Sequence, residues 1–201
     1  MSEIVSPRRT EQRRRADAER SITAILDAAV DVLAERSEAS MAEIAAAAGV
    51  SRQTVYAHYE SREKLLAAVA DRALGSVVAA IDVAEPERGA PVDALDRLAR
   101  AWWQTVEPHA RVLESLAPAF HDAEHVHDFH SPILERIERL VRRGQRTGDF
   151  DRSLPTAWVT AAFLGLMHAT AEEVAAQRIT SADAGRAVAR TVPRLLGVPG
   201  H

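Results

Sequence analysis

The chain has 201 residues, of which 47% are hydrophobic and 27% are charged, so it can bury a sizeable core and is neither disordered throughout nor membrane-embedded. It contains no cysteine, which excludes a disulfide, a thiolate nucleophile and a cysteine-based zinc cluster. The formal net charge of -4 does not by itself indicate a nucleic-acid partner. The amino terminus has arginines but no apolar stretch after them, so it is not a secretory signal, and no later apolar run reaches the length of a transmembrane helix. We therefore expect a cytoplasmic protein without a membrane partner.

Positive charge is concentrated near the amino terminus. Between residues 8 and 15, five arginines accompany a single acidic residue, Glu11, and no apolar pattern runs through the segment. We expect residues 1–18 to form a flexible basic arm that contacts DNA phosphates. The alternative is a solvated terminal tail without a partner.

The remainder of the chain has the pattern of an all-α fold. Alanine is abundant and the alternation typical of strands is almost absent. A first helix is expected from about Glu19 to Arg36, because its apolar residues recur at three- and four-residue spacings. Ser40 followed by Glu43 is a capping-box pattern, which predicts a second, short helix ending near Ala48.

Two short helices joined by a glycine turn are expected between Met41 and Tyr59. Gly49 allows the tight turn, and Ser51 can cap the second helix, which would run to about His58. This is the arrangement of a helix-turn-helix, whose second helix enters the major groove of DNA. Helical proteins that bind no DNA contain the same arrangement, so the geometry leaves both interpretations open. The residues expected on the outer surface are Arg52, Gln53, Thr54, Tyr56, Ala57 and His58.

The segment over about residues 22–69 resembles the amino-terminal signature of the TetR family of transcriptional regulators. The residue types that carry the resemblance stand in one register: Ile44-Ala45, Ala48-Gly49-Val50-Ser51, Thr54, Tyr56, His58-Tyr59, Arg62 and Leu65-Leu66. The resemblance implies that residues 51–58 form the recognition helix. It also implies that Arg52, Gln53 and Thr54 approach the bases, and that Tyr56 contacts the DNA backbone.

Two positions depart from the usual pattern of the family. Arg62 stands where the family usually has a phosphate-binding lysine, so the positive charge is kept. Met41 stands where the family often has threonine, and the adjacent Ser40 is the expected substitute for that backbone contact. The resemblance divides the chain into a helix-turn-helix domain over residues 19–64 and a helical ligand-binding and dimerisation domain over residues 65–201. The expected DNA-binding residues are Ser40, Ser51, Arg52, Gln53, Thr54, Tyr56, His58 and Arg62.

Helical patterns continue through the larger domain, after a loop over residues 85–91. Trp102 and Trp103 differ by about 100° around their helix, so at most one of them is expected in the core. Ser131 followed by Pro132 predicts the start of a helix, as a cap and a first-turn proline. The expected helices run over about residues 62–81, 92–107, 131–146, 156–177 and 182–196, with a further helix that includes residues 112–120.

The helix after Pro155 is apolar on nearly every face, which predicts two apolar contacts. One face can cover the domain core, and the other, with small side chains that allow close approach, can meet a second subunit. This resembles the dimer interface of the family, in which the last two helices of each subunit form a four-helix bundle. A central helix in a large monomeric core is the alternative. The expected interface residues are Ala161, Gly165, Val188, Val192 and Leu195.

Large apolar side chains in this domain can line a small-molecule cavity between helices. Residues of this kind at core spacing also occur in domains that bind no ligand, so the pattern leaves open which of them line a pocket. The expected pocket residues are Trp102, Phe120, Phe129, Trp158, Phe163 and Met167.

A histidine-rich segment lies between residues 121 and 130. It contains the spacing H-x-x-E-H at His121, Glu124 and His125, an inverted zinc-peptidase motif. A catalytic metal site needs a third ligand and supporting groups, and the sequence does not identify them. The alternatives are a polar segment without a ligand, and effector or metal binding.

Together these observations predict a homodimeric, ligand-responsive repressor that binds operator DNA, with no cofactor, resident metal or catalytic residue. The competing hypothesis is a metal-binding helical protein or metal-dependent hydrolase that uses His121, Glu124 and His125. A third hypothesis treats the larger domain purely as a dimerisation module.

Overall fold

The computed structural model describes the backbone of residues 7–106, 112 and 123–198, and the side chains of these residues except 7–10 and 123–127. This part of the chain is helical and contains no strand, as expected of an all-α fold. None of its helices is both long and apolar enough to cross a membrane. The helices are α1 (Pro7–Glu35), α2 (Met41–Ala47), α3 (Arg52–His58), α4 (Arg62–Val83), α5 (Pro91–Val106), α6 (Ala123–Thr147), α7 (Thr156–Ala175) and α8 (Ser181–Leu195).

The chain divides into two compact units, residues 1–69 and residues 70–201. The division falls inside α4, a few residues beyond the boundary at residue 64 that the sequence predicts. The first turns of α4 therefore belong to the smaller unit, and the remainder of the helix belongs to the larger one.

The smaller unit is a three-helix cluster closed by the start of α4. Ile25, Ala29 and Leu33 are buried on one face of α1, and they recur at the spacing that the sequence predicts. The helix α2 contributes Ile44 and α3 contributes Val55, both fully buried. Because α3 has a single buried residue, most of its surface is left for other contacts.

The prediction of a flexible arm over residues 1–18 is wrong for residues 7–18, which form the beginning of α1. Pro7 suits the first turn of a helix, and arginine, glutamate and alanine all have favourable helix propensity. Glu11 and Arg15 form an i,i+4 ion pair with an N–O distance of 3.4 Å, which adds a small stabilisation. The absence of an apolar pattern excluded burial of this segment but did not exclude a helix.

The larger unit is a bundle of helices packed around one apolar core. α5 packs against α6 and α8, α7 packs against both α6 and α8, and their facing side chains are buried together. Members of this core from the four helices are Leu98, Trp102, Ile137, Leu140, Phe163, Met167, Val188 and Val192.

The expected helix start at Ser131 and Pro132 is also wrong, because α6 begins at Ala123 and continues through the proline. Proline inside a helix removes its own N–H from the hydrogen-bond ladder, and its ring crowds the carbonyl group one turn earlier. Ile133, Leu134 and Ile137, in the turns that follow it, are all buried, and we infer that their packing offsets the local cost.

Arginine side chains fix the end of α4 and the following loop. Arg136 of α6 makes two hydrogen bonds to the carboxylate of Asp82, with distances of 2.6 and 2.8 Å. Arg97 of α5 donates to the carbonyl oxygens of residues 84, 85 and 88, and Arg143 of α6 donates to those of residues 86, 87 and 89. The carboxyl end of α4 is therefore held against the helices of the larger unit.

Candidate functional site

A tight turn joins α2 to α3. Gly49 has a φ of 65°, in the left-handed region where a β-carbon is unfavourable. The backbone N–H of Gly49 donates to the carbonyl of Ala46, and that of Val50 donates to the carbonyl of Ala45. The structure therefore contains the expected pair of short helices, and the glycine is required by the backbone conformation.

Serine hydroxyls cap both short helices. Ser40 accepts a hydrogen bond from the backbone N–H of Glu43, whose carboxylate in turn accepts one from the backbone N–H of Ser40, which completes the capping box. These bonds from Ser40, together with Arg36, lower the pKa of Glu43. Ser51 caps α3 by accepting from the N–H of Thr54, and the two hydroxyls lie 2.8 Å apart. Both serines thus have structural roles as caps, in addition to the DNA contacts expected of them.

The outer face of α3 is exposed. Val55 anchors the helix in the core, Thr54 and His58 are half-buried, and Arg52 and Gln53 point away from the core into solvent. Tyr56 is 39% exposed, so its ring and hydroxyl are accessible to a ligand. This surface combines a cation, an amide and a phenol within two helical turns, all of which can bind base edges or phosphates.

Arg52 and Tyr56 contact each other on this face. The central guanidinium carbon of Arg52 lies 5.4 Å from the centroid of the Tyr56 ring, within the range of a cation–π interaction. Side chains on a helix point towards its amino terminus, so the tyrosine reaches back over the residue four positions earlier. The contact restrains the guanidinium before any ligand is bound.

Arg62 binds the chain itself. Its Nε donates to the carbonyl oxygen of Ala39 at 3.2 Å, and its Nη2 donates to the carbonyl oxygen of Ser37 at 2.5 Å. Both acceptors lie in the connection between α1 and α2, directly before the cap residue Ser40. The arginine therefore fixes the segment from which α2 starts, a role that the sequence analysis did not assign to it.

The expected pocket residues that the structure describes fall into three groups. Trp102 and Phe163 are buried with their ring centroids 5.6 Å apart, and Met167 is buried in the same core. Phe129 is half-buried. Trp158 is 54% exposed, so its side chain lies at the surface rather than in an interior cavity. Phe120 lies outside the described residues.

The expectation that at most one of the two tryptophans of α5 is central is wrong, because both are buried. Trp102 packs on Phe163 of α7, while Trp103 faces α8 at Gly185, where an added β-carbon would lie 3.3 Å from the indole nitrogen. The physical reason is that α5 is covered on two sides by different helices, so two side chains about 100° apart can both be buried.

The residues expected at the dimer interface differ in their exposure. Ala161 and Gly165 are exposed on α7, on the same side as Trp158, and a β-carbon built on Gly165 would meet no atom within 4 Å. Val188 and Val192 are instead buried in the core of the unit, which corrects their placement at an interface. Their four-residue spacing continues from Ala184, which is also buried, so this line of α8 faces the core. Leu195 is half-buried.

The histidine-rich segment is only partly described. His121 lies outside the described residues, and Glu124 and His125 belong to α6 without described side chains. Among the side chains that the structure does describe, no three of histidine, aspartate and glutamate come together in a way that could hold a metal ion.

His130 is the member of this segment with a described contact to another helix. Its Nε2 lies 3.2 Å from Nε2 of His168 on α7, and the two rings pack edge to face. Burial, and then the neighbouring His130, lower the pKa of His168 to about 4, so this ring is neutral near pH 7. The pair joins residues that are 38 positions apart, and nothing in the sequence indicated His168.

Comparison with known proteins connects this geometry to a family. The family model described as "Bacterial regulatory proteins, tetR family" matches residues 25–69. Over 76 residues the chain is 50% identical to the HTH-type transcriptional repressor LfrR of Mycolicibacterium smegmatis, a match that spans 38% of this chain and 40% of LfrR. Over 153 residues it is 29% identical to the HTH-type transcriptional regulator NfxB of Pseudomonas aeruginosa, spanning 75% of this chain and 78% of NfxB.

Solved structures extend the likeness to nearly the whole chain. The crystal structure of LfrR in complex with proflavine matches with a TM-score of 0.65 and 31% identity, covering 87% of this chain and 94% of that one. The fatty acid degradation regulator FadR of Bacillus halodurans has a similar fold, with a TM-score of 0.72, 21% identity, and coverage of 89% and 99% of the two chains. The resemblance drawn from residues 22–69 is confirmed, and the competing hypothesis of a metal-dependent hydrolase receives no support from these matches.

Proposed function

Because the chain belongs to the TetR family of transcriptional regulators, we propose that it is a homodimeric repressor that binds operator DNA through α3 and leaves it when a small molecule binds the larger unit. The observation that carries the proposal is the exposed face of α3, which presents Arg52, Gln53 and Tyr56 from a capped helix-turn-helix. Such a protein acts where the chromosome is, so we place it in the cytoplasm.

The chemistry of α3 assigns different roles to its side chains. Arg52 can make a bidentate contact to guanine and Gln53 to adenine, and these two residues are proposed to select the sequence. The hydroxyl of Tyr56 is proposed to bind a phosphate, with Thr54 and His58 at the edge of the contact. Ser40 and Ser51, the caps of α2 and α3, are proposed to lie beside the DNA backbone.

Dimerisation is proposed to use the outer face of α7. Trp158, Ala161 and Gly165 form an exposed apolar line on that helix, and the small residues allow the backbone of a second helix to approach closely. A two-fold dimer presents two copies of α3, so the operator is expected to be an inverted repeat with half-sites about 34 to 36 Å apart or a multiple of this distance.

The dimer is tested by placing a large charge on this line. Gly165→Arg is expected to give a monomer in sedimentation velocity, because a buried guanidinium without a partner opposes association. The matched control is Ala67→Arg, which adds the same side chain at an exposed alanine of the smaller unit and is expected to stay dimeric. A dimeric, folded Gly165→Arg protein would move the interface to another surface.

The larger unit is proposed to bind the effector. LfrR binds proflavine in its crystal structure. In this chain Trp102, Phe163 and Met167 pack together in the core, and they are proposed to line the site when an aromatic effector enters between the helices. The effector acts by favouring a conformation in which the operator is bound less well. Coupling of this kind is usually about 1 to 3 kcal/mol, or roughly 5- to 150-fold in operator affinity.

The direct test measures binding of the purified protein to DNA from upstream of its own gene. Fluorescence anisotropy is expected to give tighter binding to this DNA than to a scrambled sequence of equal length at the same salt concentration. Equal affinity for the two DNAs at every salt concentration would contradict sequence-specific regulation at that site. Once an effector is found, linkage requires operator DNA to weaken its binding by the same factor by which it weakens operator binding.

A further inference from the structure

Two histidines of the larger unit form a pair that the proposed regulator function does not use. His130 of α6 and His168 of α7 place their Nε2 atoms 3.2 Å apart. His130 is 9% exposed and His168 is half-buried, so the pair lies between the helices of the larger unit. A contact between two neutral rings leaves one of the Nε2 atoms as a donor and the other as an acceptor.

The distance between the two Nε2 atoms also suits the binding of one metal ion by both rings. Imidazole nitrogens bind zinc at about 2.0 to 2.1 Å, so two such ligands of one tetrahedral ion lie about 3.3 Å apart. The observed 3.2 Å agrees with this value. An ion can therefore bind both rings without separating α6 from α7.

The orientation of the two rings is also compatible with metal binding. Their centroids are 4.7 Å apart, which is closer than two rings whose Nε2 atoms point straight at each other. The outward direction of Nε2 is therefore inclined to the line that joins the nitrogens. A metal site also has inclined nitrogens, because both point to one ion beside that line, so the inclination is compatible with such a site.

We propose that His130 and His168 bind one divalent transition-metal ion of the Zn²⁺, Ni²⁺ or Co²⁺ type. Imidazole suits these ions, whereas Mg²⁺ prefers oxygen ligands. No third histidine, aspartate or glutamate joins the pair among the side chains that the structure describes, so the proposal assigns two ligands of the ion to this chain. Both Nε2 atoms must be without a proton to bind the ion, so the ring that donates the contact has to carry its proton on Nδ1 instead.

The test uses the full-length protein without an affinity tag and Co²⁺ as the probe. Titration of the wild type is expected to produce the visible absorption of cobalt bound by nitrogen, saturating at one ion per chain. His130→Gln and His168→Gln are each expected to weaken binding by at least about 10-fold, since each removes one ligand. His58→Gln, at a half-buried histidine of the smaller unit, is the control for loss of one imidazole and is expected to bind as the wild type does. Mg²⁺ is expected not to compete.

Two results would overturn the proposal. Equal cobalt binding by the wild type and His168→Gln would place the ion elsewhere, and so would loss of binding only in His58→Gln. If a glutamine variant does not fold, X-ray absorption of the cobalt-loaded wild type decides the question. Two imidazole nitrogens at about 2.0 to 2.1 Å are expected there, and a shell of oxygen ligands only would contradict the site.

Discussion

Removal of the Arg62 side chain separates two roles for this residue. In the structure its guanidinium holds the carbonyl oxygens of Ser37 and Ala39, while the family resemblance implies a phosphate contact. Hydrogen bonds from a charged donor contribute about 1.5 to 3 kcal/mol each, and with the side chain half exposed we expect Arg62→Ala to cost roughly 2 to 3 kcal/mol in total. For a chain of this size that corresponds to a melting temperature lower by about 4 to 12 °C.

The assay combines thermal unfolding, followed by circular dichroism, with the salt dependence of binding to unrelated DNA. Arg62→Lys keeps the charge but lacks the planar fork that reaches both carbonyls, so its melting temperature is expected to fall as well. Arg52→Ala is the control for loss of one positive charge from the same unit, and it removes only an exposed cation–π contact of about 0.5 to 1 kcal/mol. The salt slope of Arg62→Ala is expected to equal that of the wild type.

A different pair of results would refute this reasoning. If Arg62→Ala and Arg62→Lys both melted like the wild type, and Arg62→Ala lowered the salt slope by about one unit, Arg62 would be a phosphate contact without a role in the fold.

Two further predictions concern the larger unit. Gly144→Ala is expected to destabilise the protein by about 1 to 3 kcal/mol in urea unfolding, because the added β-carbon would lie 2.1 Å from the Phe150 ring. Gly75→Ala, also within a helix but in open space, is the matched control and is expected to be neutral or stabilising; equal costs would contradict the close contact. The pKa of His168 is lowered to about 4 in the folded protein, so between pH 4 and 6.5 the unfolded chain binds more protons than the folded one. The free energy of unfolding is therefore expected to fall as the pH falls through this window, by at most about 1.4 kcal/mol per pH unit. His168→Gln removes this contribution, and an identical pH dependence of the variant and the wild type would refute it.

The sequence predicted the smaller unit well because its signals are local. The capping box at Ser40 and Glu43, the cap at Ser51 and the glycine turn each depend on residues within four positions of one another. Local signals also gave wrong predictions in two places. A segment rich in arginine was expected to be flexible but is helical, and Pro132 was expected to begin a helix that in fact starts at Ala123.

The remaining differences between the sequence predictions and the structure arise from contacts between residues that are far apart in the chain. Periodicity identifies the apolar side of α8 but does not say whether that side meets the core or a second subunit, and Val188 and Val192 meet the core. Arg62 reaches carbonyls 23 and 25 positions earlier, and the His130–His168 contact spans 38 positions. Such contacts depend on how the helices are placed, and no local pattern records them.

The most direct test of the central claim is selection of binding sites from a pool of random DNA by the wild type and by Arg52→Ala. If α3 reads the operator, the wild type is expected to enrich an inverted repeat. The variant should then enrich the same repeat with a relaxed preference at one position of each half-site, a loss of about 1 to 3 kcal/mol of discrimination. Enrichment of an identical sequence, equally well defined at every position, by both proteins would contradict the assignment of α3 as the reading element.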